Sequence, residues 1–209
     1  VDPAQSKIFS KIENHYSSQV LSFYLKLVLA VGIKKSLVRI ETQQTLPASV
    51  KDLYKNWFCR VLLEMNSNPE SYYSVQRDDF LKDLGVCTQK LIPIGGAWVV
   101  EISGISRHFL LNVKPMDWLS SIMFFFRLKG FKPFYQIHTV MKLTDRFNEK
   151  ERENAYRNIA YLLEKNDWIK GMFASSWLYD PELSKVSPRL SYLVKTPVAN
   201  GARCFLVGS

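Results

Sequence analysis

Cysteine and histidine are scarce. The chain holds three of each in 209 residues: Cys59, Cys87 and Cys204, and His15, His108 and His138. No C-x-x-C and no Cys/His ligand spacing occurs, which argues against a structural zinc site, so no metal is expected. The odd cysteine count and the apolar neighbours of each cysteine point to buried, inert thiols and a reducing, cytoplasmic setting. Also missing are a P-loop, a G-x-G-x-x-G, a G-x-S-x-G elbow, an H-E-x-x-H and the kinase signatures. Their absence moves common nucleotide-dependent, dinucleotide-dependent, serine-hydrolase and zinc-peptidase chemistries out of the front rank. Long apolar runs are lacking too. Residues 20–33 carry Lys26, and 118–126 are shorter still, both below the roughly 20 apolar residues of a spanning helix. No basic leader precedes an early apolar run, so no signal peptide is expected.

What is abundant is apolar and aromatic: 47% hydrophobic residues, with 13 Phe, 10 Tyr and 5 Trp, enough for one sizeable core. Lys and Arg number 28 against 19 Asp and Glu, a formal charge of +9. Such an excess favours anionic partners: a membrane surface, a phosphate-bearing cofactor or, less well, nucleic acid. The excess is spread out. Its densest groups, Lys34-Lys35 with Arg39 and Arg127 with Lys129 and Lys132, fall short of the block of like charges that marks a nucleic-acid arm.

Asp2-Pro3 reads as an N-cap with proline in the first turn, and apolar residues at three- and four-residue steps from Ile8 to Val31 predict a helix that Gly32 is placed to stop. Its second half is apolar nearly all round, so it should be deeply buried or lie against another apolar surface. Residues 37–40 read as a short strand. A second helix follows from Val50 to Leu62, and a third over 78–84 closed by Gly85. The period then changes to a three-stranded meander: 90–94, 97–102 and 105–111, joined by Gly95-Gly96 and Ser103-Gly104. Pro93 puts its first strand at an edge. A helix over 116–128 precedes a strand at 134–143. Asn148 caps an amphipathic helix with Ala155, Tyr156, Ile159, Ala160 and Leu163 on one face. A strand buried on both faces at 171–179, a short helix at 188–194 and a last strand at 202–207 complete the order. This is one mixed α/β domain over 1–209, mainly helical to 85 and mixed-sheet from 86, with a partly antiparallel sheet flanked by helices.

Three groups of residues could carry chemistry. Alternation along 134–143 puts Gln136, His138 and Lys142 on one face. If that face lines a cleft, His138 is a general base; if it meets solvent or a helix, His138 is an ordinary polar residue. Ser175, Ser176, Trp177, Tyr179 and Asp180 at a strand end either surround a ligand or divide into core aromatics and a capping carboxylate. Arg189, with Lys195 and Arg203, either holds an anionic group or is solvated.

From Phe134 onward, strand, amphipathic helix, strand, short helix and strand resemble the C-terminal half of a GNAT-type N-acyltransferase. The string Ser187-Pro-Arg-Leu-Ser-Tyr192-Leu is similar to the start of that family's fourth helix, where a tyrosine often protonates the departing coenzyme A thiolate. The resemblance implies an acyl-coenzyme A or other acyl-thioester donor. It makes Tyr192 the acid, His138 the base and Ser176 a neighbour, with Trp177, Tyr179, Asp180 and Arg189 around the substrate. Thr144, Arg146 and Asn148 stand where the family binds its cofactor. The family's Q/R-x-x-G-x-G/A loop there is replaced by a stretch, 143–151, with no glycine and several acids. The expectation is acyl transfer from a thioester to a small-molecule amine. Its rival is a non-catalytic basic module for an anionic membrane surface or nucleic acid.

Overall fold

The computed structural model describes residues 15–105, 118–127, 131–180 and 182–204. In chain order the elements are α1 Ser18–Thr42, α2 Ala48–Glu64, α3 Asp78–Cys87, β1 Ile92–Gly95, β2 Trp98–Ser103, α4 Trp118–Arg127, β3 Phe134–Thr139, α5 Glu149–Lys165, β4 Met172–Ala174, α6 Leu183–Val186 and α7 Tyr192–Ala199. Short 3-10 turns at Met141–Arg146, Trp177–Tyr179 and Pro188–Leu190 link the later ones. The protein is mixed α/β.

The sheet order is β1-β2-β3-β4. β1–β2 and β2–β3 run antiparallel, and β3–β4 run parallel across the α5 crossover. Pro93 lies in the edge strand β1, where its missing N–H costs no ladder bond. The hairpin turn is Gly96-Ala97, one residue later than the sequence pattern placed it, after an irregularity between Pro93 and Gly95. Gly96 has φ +47°, and a Cβ there would meet the Arg146 carbonyl at 2.9 Å. The expected third meander strand lies outside the described residues from 106 on. The edge of β2 it would have used is held by β3, from Trp98 opposite Thr139 to Ser103 opposite Phe134.

Helices α2 and α5 pack on β1, and α1 packs on α2 and α3. One cluster of buried side chains runs from Leu25, Leu29 and Ile33 through Tyr54, Phe58 and Phe80 to Trp98, Val100, Ile137, Ile159 and Leu193. The predicted helix α2 and the Asn148 cap are present; the Asn148 side chain accepts the Glu151 N–H at 3.0 Å. Elsewhere tertiary packing overrides the local signal. Gly32 does not stop α1. It lets the helix lie against the end of α3, where a Cβ would stand 3.0 Å from the Cys87 carbonyl oxygen. Ser36 donates to that same oxygen at 2.8 Å. Residues 37–40 are therefore helix, not strand, and Ile40 continues the buried stripe. Gly85 likewise sits inside α3, against Leu91.

Further on, β3 ends at Thr139, and only Met172–Ala174 of 171–179 is strand. Met172 is exposed, so that strand is not buried on both faces. Residues 202–204 form no strand and are exposed. Only one face of α1 is buried; Phe23, Tyr24, Leu27, Val31 and Val38 are exposed. Among the described residues, no helix is long and apolar enough to cross a membrane.

Candidate functional site

The carboxyl ends of the parallel strands β3 and β4 open into a cleft of about 220 Å³. Ligands of α/β sheets usually bind at such strand ends, because the chain turns away there and leaves a crevice. Ile137, His138, Thr139 and Met141 line it from the end of β3. Ser175, Ser176, Trp177, Leu178 and Tyr179 line it from the segment after β4, and Asp78 and Lys82 of α3 close the remaining side.

His138 is half-buried, and its Nε2 lies 3.2 Å from Oε1 of Glu101. The β2–β3 register explains the contact. Val99 stands opposite His138 and Glu101 opposite Gln136, so Glu101 and His138 are diagonal neighbours on one face. With Nε2–H donated to the carboxylate, Nδ1 is the acceptor nitrogen. Lys82 donates to the Thr139 carbonyl at 2.6 Å and pairs with Asp78, which pins α3 to the end of β3.

Ser176 is exposed on the cleft wall, and its Oγ accepts the Leu178 N–H at 3.3 Å, capping the turn that carries Trp177. No hydrogen bond among the described residues joins it to His138. Trp177, 68% exposed, forms a lip. Tyr179 lines the cleft while its hydroxyl accepts from Arg152 Nη2 at 2.8 Å behind the wall. His138, Ser176, Trp177 and Tyr179 are therefore brought together.

The other expected residues are not. Tyr192 is buried on α7 and does not line the cleft. Burial raises its hydroxyl pKa, against a lowering pull from Arg152. Asp180 accepts the Glu182 N–H at 2.9 Å, which is turn chemistry. Arg189 is exposed on its 3-10 turn. Arg146 is exposed, Asn148 is committed to capping α5, and the Thr144 side chain lies outside the described residues. Glu149 and Glu151 in the first turn of α5 oppose a second anion at that helix end. Glu101, Lys82 and Asp78 were missed by sequence reasoning. A lone charge within the apolar run 97–102 was the available signal for Glu101.

A separate ionic cluster ties the helices to the sheet. Asp83, buried, accepts from Trp57 Nε1 at 2.9 Å and from Tyr72 and Arg60. Arg60 also reaches Glu64 at 3.1 Å, and Glu64 pairs with Lys142 just beyond β3. Burial raises the Glu64 pKa, but Lys142 and Arg60 outweigh it and hold the carboxyl below its ordinary value. Among the described residues, no three His, Cys, Asp or Glu side chains are grouped to hold a metal. No protein-family model, curated protein or solved structure matches the chain.

Proposed function

We propose that the protein is an acyltransferase-like enzyme, moving an acyl group from a thioester donor such as an acyl-coenzyme A to an amine. The observation that carries this reading is the His138–Glu101 pair at a cleft where the β3–α5–β4 unit ends. The amine nitrogen attacks the thioester carbonyl carbon, and Nδ1 of His138 takes the proton the nitrogen sheds. The C–S bond then breaks, and the leaving thiolate recovers that proton from the imidazolium. Glu101 orients the ring and stabilises its charged form. Trp177 offers a flat apolar wall to the donor or acceptor. Tyr192 has no place in this scheme, because its hydroxyl is sealed behind the cleft wall. The capped, acid-rich start of α5 leaves the donor's phosphates to other groups.

The test is thermal stability and thiol release with acetyl- and long-chain acyl-coenzyme A, offered with a panel of amines. Expected are ligand-induced stabilisation and turnover, with His138→Gln lowering kcat about 10²–10⁴-fold while affinity stays unchanged. Absence of both stabilisation and thiol release for every donor overturns the reading.

A second reading has its own observation. Trp118, Leu119, Met123 and Phe126 of α4 are exposed, and Arg127, Lys129 and Lys132 follow in sequence. An apolar, aromatic helix face with a basic end suits an anionic lipid surface. Cosedimentation with phosphatidylserine-containing vesicles, weakened by salt and by Trp118→Ser with Phe126→Ser, supports it; equal partitioning to neutral vesicles overturns it.

A further inference from the structure

Arg152 of α5 is 2% exposed, yet no carboxylate among the described residues pairs with it. Its guanidinium carbon lies 4.6 Å from the ring centroid of Tyr156, 4.9 Å from that of Trp98 and 5.6 Å from that of Tyr179. One N–H reaches the Tyr179 hydroxyl at 2.8 Å. Among the described residues its Nε and Nη1 have no partner. Two further buried polar atoms of the described residues lack one as well, Trp98 Nε1 and the Tyr192 hydroxyl. Trp98 is the ring against the guanidinium, and Tyr192 begins α7, which packs on α5 and on the turn that carries Tyr179, where Arg152's charge acts on its hydroxyl. The orphaned atoms thus gather around one cation. Glu149, whose charge also acts on Tyr192, is exposed in the first turn of α5 and makes no ion pair with Arg152.

Orphaned buried polar groups call for an explanation, and an uncompensated buried charge calls for one most of all. Ring faces ease the burial of a guanidinium, but they satisfy none of its in-plane N–H groups. Three of the four unpartnered atoms are N–H donors and the fourth is a hydroxyl that can donate. The missing partner is therefore an acceptor of negative charge. Tyr179 shows the way in: one side of it lines the cleft, and its hydroxyl occupies Arg152 on the other.

We infer that Arg152, Trp98 and Tyr192 form an oxyanion-binding site behind the cleft. It takes a carboxylate or phosphate group of a bound small molecule, which enters by displacing Tyr179. The site needs the cleft but not acyl transfer, so it stands or falls separately from the proposed reaction.

The test measures the melting temperature in acetate, phosphate and chloride at matched ionic strength, for wild type, Arg152→Met and Tyr179→Phe. Wild type should rise by roughly 5–10 °C at a hundredfold excess of the anion over its dissociation constant. Acetate alone doing so marks a carboxylate site, and phosphate alone a phosphate site. Arg152→Met should lose the rise. Tyr179→Phe, with one more free N–H on Arg152, should bind the anion at least as tightly as wild type. Equal melting temperatures in all three salts, or a rise that survives in Arg152→Met, overturns the site. Weaker binding by Tyr179→Phe overturns the route through Tyr179, and it decides the matter even where Arg152→Met does not fold.

Discussion

Two arginines lie against tryptophan rings in this protein, and they are satisfied in opposite ways. Arg60 stands 4.8 Å from the ring centroid of Trp57 and is held by Asp83 and Glu64. Arg152 stands 4.9 Å from the ring centroid of Trp98, is more deeply buried and, among the described residues, has only a tyrosine hydroxyl. The first is closed: each charge has its opposite, and every partner comes from the chain. The second is open, with donors in excess and no acid to match. A closed network fastens elements together, whereas an open one is unfinished until something else arrives. The helical part fastens; the sheet part, where α5 crosses from β3 to β4, has kept its polar capacity in reserve.

The comparison breaks most easily at Asp83. Asp83→Ala strips the acceptor from Arg60, Trp57 and Tyr72 together and leaves the part-buried Arg60 with Glu64 alone, a carboxylate that Lys142 already shares. It should cost about 3–5 kcal/mol, read from urea midpoints. Next comes the direct contrast between the two arginines. Arg60→Met leaves the buried Asp83 carboxylate with its Trp57 and Tyr72 donors but no cation, and should cost about 3 kcal/mol. Arg152→Met orphans no acid and should stay within about 1 kcal/mol of wild type in chloride buffer. Equal losses from the two would mean that Arg152 is as fully compensated as Arg60, and the contrast would disappear.

Acid sharpens the same contrast. The Glu64 carboxyl is held below its ordinary value of 4.5, so the stability it contributes is fully present above that pH. That contribution is lost as pH falls through the lowered folded-state value. Glu64→Gln should cost about 1 kcal/mol at neutral pH and flatten the acid limb of the stability curve. An acid limb unchanged in Glu64→Gln would remove the carboxylate from the network's energetics.

Much of this was readable along the chain, and what was not depends on contacts distant in sequence. The stripe of α2, the Asn148 cap and the first hairpin are local signals; the sequence pattern located the first two and placed the hairpin turn one residue early. Gly32 was misread because its reason for being small, the Cys87 carbonyl, comes 55 positions later. At 171–179 an apolar run looked like a buried strand. The Ser176 cap instead turns it into a 3-10 segment after three strand residues. His138 was visible as a lone imidazole, but Glu101 depends on the β2–β3 register, which no local pattern fixes. Arg152 is the more instructive miss. The face assigned to α5 included Ala160, which is exposed, while the buried stripe runs Arg152, Ala155, Ile159, Leu162. The three- and four-residue steps were there to be followed one turn earlier, onto a charged residue.

The smallest expected effect on stability concerns the pair that matters most for the proposed chemistry. Glu101 and His138 are 39% and 29% exposed, so solvent screens them in a way it does not screen Asp83. An ion pair of that kind contributes little, and Glu101→Gln should shift stability by no more than about 0.5 kcal/mol. Its effect on turnover should be much larger. A glutamine still accepts the Nε2–H but does not stabilise the imidazolium that forms as the amine sheds its proton. kcat should fall at least tenfold with substrate affinity unchanged. Stability and turnover falling together would make the pair another fastening of the sheet, like Asp83. Turnover falling alone would place it with Arg152, among the polar groups the fold keeps for a ligand.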